Sequence, residues 1–267
     1  MAETEFREWL AEQAGALQSV SSGNDGILYF SQREQDGRLY CDIPVFGYYA
    51  ADAYTLSRLF ESLAAGLVQR KPVAFSVSLY AHDDRAIRLF SLLQFGIVSE
   101  RGIRRCQGLA PEDGGIRELS KTDIANRWEA IWGLTAAIIE HLRHSPVFYP
   151  GQEFTEDLYR EFYLDAGTRV FGAFAADQTL IGIIESNAQR DELAFRGRRS
   201  VNIGEAYVLP QFRGSGLAEK LLFYAETHSA APYAWVEHGT ANPNARGFWG
   251  KYFTTYAYTM NREIHGV

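Results

Sequence analysis

The stretch VLPQFRGSGLAEKLL, residues 208–222, carries an apolar segment through a tight turn directly into a helical pattern. A helix opened in this way presents its first backbone N–H groups, which have no intrahelical partner and carry the positive end of the dipole. Gly214 and Gly216 let the backbone approach a guest without a Cβ in the way, and Arg213 adds a positive charge beside them. Such a mouth holds a phosphate or a pyrophosphate. The P-loop spacing fails here because the first lysine after Gly216 is Lys220, inside the helix, and the dinucleotide spacing fails because position 219 is Glu.

The turn needs a strand to lead into it and a helix to leave it. Hydrophobic periodicity predicts a strand over 202–209, a helix from about Ser215 to His228, a strand over 233–238, a helix from about Asn244 to Tyr252 and an alternating strand over 254–262. The same order runs earlier in the chain, as strand 39–49, helix 55–68, strand 73–79, helix 83–94 and strand 97–105, which suggests duplication of a whole domain. Pro44 implies a bulge or an edge in the strand 39–49, and the helix after it is expected to be capped at or near Thr55. A helix over 4–20 and a strand from Ile27 open the first half. The polar, turn-rich APEDGG at 110–115 is the best linker, giving domains 1–113 and 114–267. The second half starts with a strand at 116–119, a helix from Thr122 to about Ile139, a helix from Phe154 to about Leu164, and a hairpin of 169–175 with 180–185.

Composition agrees with two ordinary domains: 267 residues, 46% hydrophobic and 22% charged, supply material for buried cores. The net charge of -7 argues against general binding of nucleic-acid backbones. Cys41 and Cys106 lie far apart and form neither a metal knuckle nor a disulfide framework, so a reducing cytoplasm is expected. The acidic, amphipathic first residues are unlike a secretory signal, and no run approaches the roughly 18 apolar residues of a membrane span. A cytoplasmic protein with no membrane and no nucleic-acid partner is the expectation, its oligomeric state undetermined.

Gln211-Phe212-Arg213-Gly214-Ser215-Gly216 fits the [QR]-x-x-G-x-[GA] signature, followed by a Leu-Ala-x-x-Leu-Leu helix. Residues 242–253, NPNARGFWGKYF, are similar to a second element, N-x-x-A-x-x-ϕ-Y-x-K. By these residues the chain resembles the GNAT N-acetyltransferase superfamily, in a tandem arrangement like that of mycothiol synthase. The resemblance covers 114–267 in element order and 27–107 more weakly. It implies an α/β (α+β) fold of two acyl-CoA N-acyltransferase domains, each a mixed, mostly antiparallel twisted sheet flanked by helices. It also implies a first half without cofactor, since GYYAADAYT at 47–55 has bulky rings and an Asp where the loop would be.

The resemblance implies acetyl-CoA as donor and direct transfer to a primary amine of a small molecule or peptide. Main chain near Tyr207 and Val208 would pair with the pantetheine arm, the turn of Gln211, Arg213, Gly214, Ser215, Gly216, Leu217 and Ala218 would take the pyrophosphate, and Asn242 and Asn244 would reach the arm from the far side. Glu205 is the first choice for the base, with Glu237 and His238 after it, and a backbone N–H near Val208 would polarise the carbonyl. The other reading of Glu205 is a solvent-facing strand carboxylate. The family's usual tyrosine acid is replaced by Trp249, whose indole cannot usefully release its proton, so Tyr252 or Tyr256 takes that role, or solvent does. The departure leaves a second reading open, a non-catalytic acyl-CoA-binding module, and another acyl group is a third.

His141 and His144 have H-x-x-H spacing but no third ligand nearby in sequence, so no metal is expected. Arg190, Arg196, Arg198 and Arg199 read as a solvated hairpin. The rings of Trp128, Trp132, Phe148, Tyr149, Phe154, Tyr159, Phe162 and Tyr163 read mostly as core, with a minority lining an acceptor pocket.

Overall fold

The computed structural model describes residues 8, 11–35, 37–69, 71–108, 115–144, 154–190, 192–195 and 198–265. Phe148, Tyr149, Arg196 and most of the proposed linker lie outside the described residues. Packing divides the chain into two compact units that are not a single cut along the sequence. One holds residues 1–101, 238–240 and 255–267, the other 102–237 and 241–254.

The first unit has β1 (Gln18–Ser22), β2 (Gly26–Gln35), β3 (Arg38–Ile43), β4 (Tyr48–Ala50), α1 (Ala53–Val68), β5 (Val73–Tyr80) and α2 (Asp84–Leu92). Its sheet runs β1-β2-β3-β5-β12, where β12 is Thr254–Ile264, and β4 pairs with β2. β5 alternates without a fault, Val73, Phe75, Val77 and Leu79 being buried. With Leu56, Leu59, Phe60 and Leu63 of α1 and Met260 of β12 these residues form one core. The pairings β2–β3 and β5–β12 are antiparallel, and β3–β5 is parallel, as a crossover helix between them requires.

Three expectations for this region change. Residues 11–15 are helical, within the helix expected over 4–20, but its end gives way to a strand at Gln18–Ser22. The segment 39–49 is broken at Pro44, whose carbonyl accepts the Gly47 N–H at 2.7 Å in a tight turn. The cap of α1 is Asp52 rather than Thr55, its carboxylate accepting the Thr55 N–H at 2.7 Å.

β6 (Gly96–Arg105) has residues in both units. The second unit contains β7 (Ile116–Leu119), α3 (Lys121–Asn126), α4 (Trp128–Arg143), α5 (Glu156–Leu164), β8 (Thr168–Phe174), β9 (Leu180–Asn187), β10 (Ser200–Val208), α6 (Leu217–Ser229), α7 (Pro243–Trp249) and all but the last two residues of β11 (Tyr233–Gly239). The single helix expected over 122–139 is two, parted at Arg127. The strand order is β7-β8-β9-β10-β11, antiparallel except for the parallel pair β10–β11. β8 and β9 are buried on both faces. Phe171, Ala173, Ile181 and Ile184 pack with Leu221, Leu222 and Ala225 of α6, while Val170, Phe174, Leu180 and Ile183 pack with Ile124, Trp128, Ile131, Tyr159 and Tyr163. A mixed, mostly antiparallel sheet with helices against its faces is therefore present, as expected.

Among the described residues no helix is long and apolar enough to cross a membrane.

Candidate active site

β10 and β11 pair only at their starts, Ser200 with Tyr233, Val201 with Ala234 and Asn202 with Trp235. Beyond Asn202, β10 continues against β9 alone, with Ala206, Tyr207 and Val208 opposite Ile184, Ile183 and Gly182. Leu209 N–H donates to Ile181 O at 2.9 Å on that side. Because backbone groups alternate along a strand, the Val208 N–H faces the opposite edge, the one β11 has left. The structure thus supplies a backbone donor on an unpaired strand edge.

The register of β10 slips between Ile203 and Ala206, where two residues, 204 and 205, face the single residue 185 on β9. Gly204 and Glu205 lie in this bulge, which re-aims a side chain that regular alternation would send elsewhere. Glu205 Oε1 accepts a hydrogen bond from Tyr159 Oη at 2.7 Å. Its Oε2 is buried and has no hydrogen-bond partner among the described residues. Burial raises the Glu205 carboxyl above its ordinary range, and the Tyr159 hydroxyl opposes that rise. Glu205 is therefore a half-buried residue with one enclosed carboxylate oxygen, held by a tyrosine, not a solvent-facing one.

The same place holds a residue that sequence reasoning missed. Glu185, 6% exposed, lies one strand over on β9, on the face of Ile183. Its Oε1 accepts the Glu205 N–H at 3.2 Å, and its Oε2 also has no partner among the described residues. Burial, and next the charge of Glu205, push Glu185 up to about 8, with Arg190 acting in the other direction. A glutamate directly after the apolar run LIGII, within a strand otherwise free of charge, was a usable signal, since buried carboxylates are rare unless paired or functional. Tyr159 was read as wall or core; its ring does pack there, but its hydroxyl reaches Glu205.

After β10 a short 3-10 turn at Pro210–Phe212 leads into the glycines. Gly214 and Gly216 both have φ of +79°, and a Cβ at either would meet open space. Backbone conformation rather than crowding therefore demands glycine at both positions. Gly216 is the N-cap of α6, and among the described residues no side chain caps that helix. Ser215 Oγ donates back to Phe212 O at 2.8 Å, and Gln211 is exposed. Arg213 folds onto the strand end: its Nε donates to Val208 O at 2.9 Å and its guanidinium lies 5.1 Å from the Tyr207 ring centroid. Leu217 and Ala218 pack partly against the core. Backbone donors without a side-chain cap, an adjacent cation and no obstructing Cβ suit a pyrophosphate.

Asn242 caps α7, its side-chain oxygen accepting from Asn244 N at 3.0 Å and Ala245 N at 3.3 Å. Asn244 Nδ2 lies 3.2 Å from His141 Nε2, and His144 pairs with Glu140, so the two histidines have separate partners. Arg190 donates to Asn202 Oδ1 at 3.1 Å and Arg198 to the Tyr233 hydroxyl at 3.1 Å, while Arg199 is exposed.

Of the candidate acids, Trp249 is core, 6% exposed and packed edge-on to Phe248 and Phe253. The Tyr252 hydroxyl bonds to the Glu219 carboxylate; burial first, then that bond, raise its pKa. Tyr256 belongs to the first unit, where the Arg101 guanidinium lies 5.7 Å from its ring centroid. Of the weaker bases, Glu237 is exposed, and His238 is in the first unit, 3.0 Å from Glu100.

The sequence model of the acetyltransferase (GNAT) family matches residues 136–253. The fold is similar to that of a GCN5-related N-acetyltransferase from Sphaerobacter thermophilus, at 13% identity and a TM-score of 0.52, over 98% of this chain and 86% of that one. It is similar also to a GNAT-family acetyltransferase from Colwellia psychrerythraea, at 14% identity and a TM-score of 0.52, over 96% of this chain and 88% of that one. A functionally unknown conserved protein from Staphylococcus epidermidis is 10% identical with a TM-score of 0.50, over 92% and 94%. No curated protein sequence matches the chain.

Proposed function

We propose that this chain, whose second half is a GNAT domain, transfers an acetyl group from acetyl-CoA to a primary amine of a small molecule or peptide. The family match over residues 136–253 supports acyl transfer in general; the donor, the acceptor and the residue roles are our reading. The observation that carries it is the pairing of two features in one unit, an α6 mouth without a side-chain cap and a strand edge left open beyond Asn202.

Gln211, Arg213, Gly214, Ser215, Gly216, Leu217 and Ala218 would hold the pyrophosphate, and the main chain of Tyr207 and Val208, with Asn242 and Asn244, the pantetheine arm. Bound there, acetyl-CoA supplies the acyl group as a thioester. Glu205 removes one proton from the acceptor's ammonium, freeing the nitrogen lone pair to form the new C–N bond as the C–S bond breaks. Val208 N–H donates to the carbonyl oxygen as negative charge grows on it. The nitrogen's second proton passes to solvent as the amide forms, and the leaving sulfur is protonated by Tyr252, itself reprotonated from solvent, or by solvent directly.

The first half is proposed to bind no cofactor, because Asp52 already occupies the first N–H groups of α1 and a carboxylate there repels phosphate. A cytoplasmic setting suits the thiols, Cys41 and Cys106 each being pushed up to about 12 by burial and so unreactive. The buried Trp249 favours a second reading, a module that binds acyl-CoA without transfer.

Calorimetry with acetyl-CoA and CoA, followed by thiol release across a panel of amines, separates these. Binding with release above background supports the enzyme. Binding with background release across the panel supports the module, and absence of binding defeats both.

A further inference from the structure

Resting on the assignment of Glu205 as base, we infer that Glu185 is its positioning residue: protonated at rest, it holds the bulge through the Glu205 N–H and leaves one negative charge on the pair. Three geometric facts carry this. First, the Glu205 N–H, freed from the strand ladder by the bulge, has Glu185 Oε1 as its acceptor at 3.2 Å. Second, an ideal Cβ at residue 204 would stand 1.7 Å from that same oxygen, so glycine at 204 is what admits the Glu185 carboxyl into the bulge. Third, Glu185 Oε2 and Glu205 Oε2 are both buried without partners among the described residues.

The charge of Glu205 acts on Glu185, and among the described residues neither Oε2 has a hydrogen-bond donor, so the two acids do not both ionise in a poorly solvated site. The charged and titratable groups around Glu185 decide which one keeps the proton. Tyr159 of α5 donates to Glu205, favouring its ionised form, and Arg190 follows β9. Tyr163 of α5 is tied instead to Thr135 of α4 at 3.2 Å and stays a neutral phenol, its own pKa driven up by burial and by both glutamates. Glu185 is the more deeply enclosed acid and keeps the proton, on Oε2, since Oε1 is already an acceptor. During turnover the ammonium's proton moves to Glu205, the pair then holds two protons and no charge, and one passes to solvent before the next cycle.

The test uses the full chain in two arms. Protein labelled with carboxyl-13C glutamate is titrated by NMR without ligand. A carboxyl that stays protonated through neutrality and vanishes in Glu185→Gln, and whose midpoint falls in Glu205→Gln, is expected. Glu185 ionised below neutrality, or a midpoint indifferent to Glu205→Gln, overturns the inference. In the second arm, Glu185→Leu, which cannot accept the bulge N–H, is expected at least tenfold below Glu185→Gln in kcat, at equal affinity for acetyl-CoA. Equal kcat in the two variants overturns the positioning role. A chain that acetylates no amine defeats the assignment of Glu205 as base, while the NMR arm still decides whether Glu185 keeps the proton.

Discussion

Gly204 and Glu185 contend for one point in space: a methyl group on residue 204 would stand 1.7 Å from Glu185 Oε1. Gly204→Ala must therefore evict the Glu185 carboxyl or open the bulge. The expected outcome is a loss of transfer of tenfold or more with acetyl-CoA affinity retained, since α6 and its turn are untouched. Calorimetry alongside steady-state kinetics checks it.

Gly216→Glu is expected to abolish detectable binding of acetyl-CoA and CoA. A non-glycine residue at a φ of +79° costs about 1–2 kcal/mol, and the new carboxylate faces the pyrophosphate. Circular dichroism should show the fold intact, because a Cβ there meets open space. Unchanged affinity would remove the turn from the site.

Glu205→Gln is expected to lower kcat/KM by roughly 10²–10⁴-fold, the usual share of a general base, and to remove the limb of the pH–rate profile that rises with its ionisation. The Kd for CoA should not move. An unaltered pH profile would exclude Glu205 as base.

Stability should depend on pH through Glu185. Its folded pKa, about 8, is raised above the ordinary 4.5, so the folded chain keeps a proton that the unfolded chain releases. That contribution is complete below the unfolded value and is lost as pH rises through the folded one. The urea midpoint of the wild type is therefore expected to fall between about pH 5 and about pH 8, and Glu185→Gln to flatten the slope.

Arg104 and Glu226 form a buried ion pair at 3.1 Å, their side chains 6% and 1% exposed. Glu226→Ala leaves the guanidinium buried without its carboxylate and is expected to destabilise the chain by about 3–5 kcal/mol, read from denaturant midpoints.

The glycine turn was legible in the sequence because its demands are local: a positive φ at Gly214 and Gly216 and a helix opened without a side-chain cap. The strand β5 and the helix α6 were legible through periodicity. Asp52 as the cap of α1 was within reach, one turn before the residue chosen. The Glu185–Glu205–Tyr159 cluster was not, because it depends on a one-residue slip between β9 and β10 and on helix α5 packing over them. Nor could periodicity show where β12 pairs, since a strand's pattern gives its buried face but not its neighbour.

β12 also governs the order in which the chain can be completed. Ala257 pairs with Tyr80 and Ile264 with Val73, so β5 acquires this neighbour only when residues 254–264 have been synthesised. Until then the first unit lacks Met260 from its core and presents an open strand edge of Val73–Tyr80 to whatever else is near. Strand β12 thus closes the first unit only after residues 102–237 of the second have been made, and a fragment ending before residue 254 would carry that unfinished edge permanently.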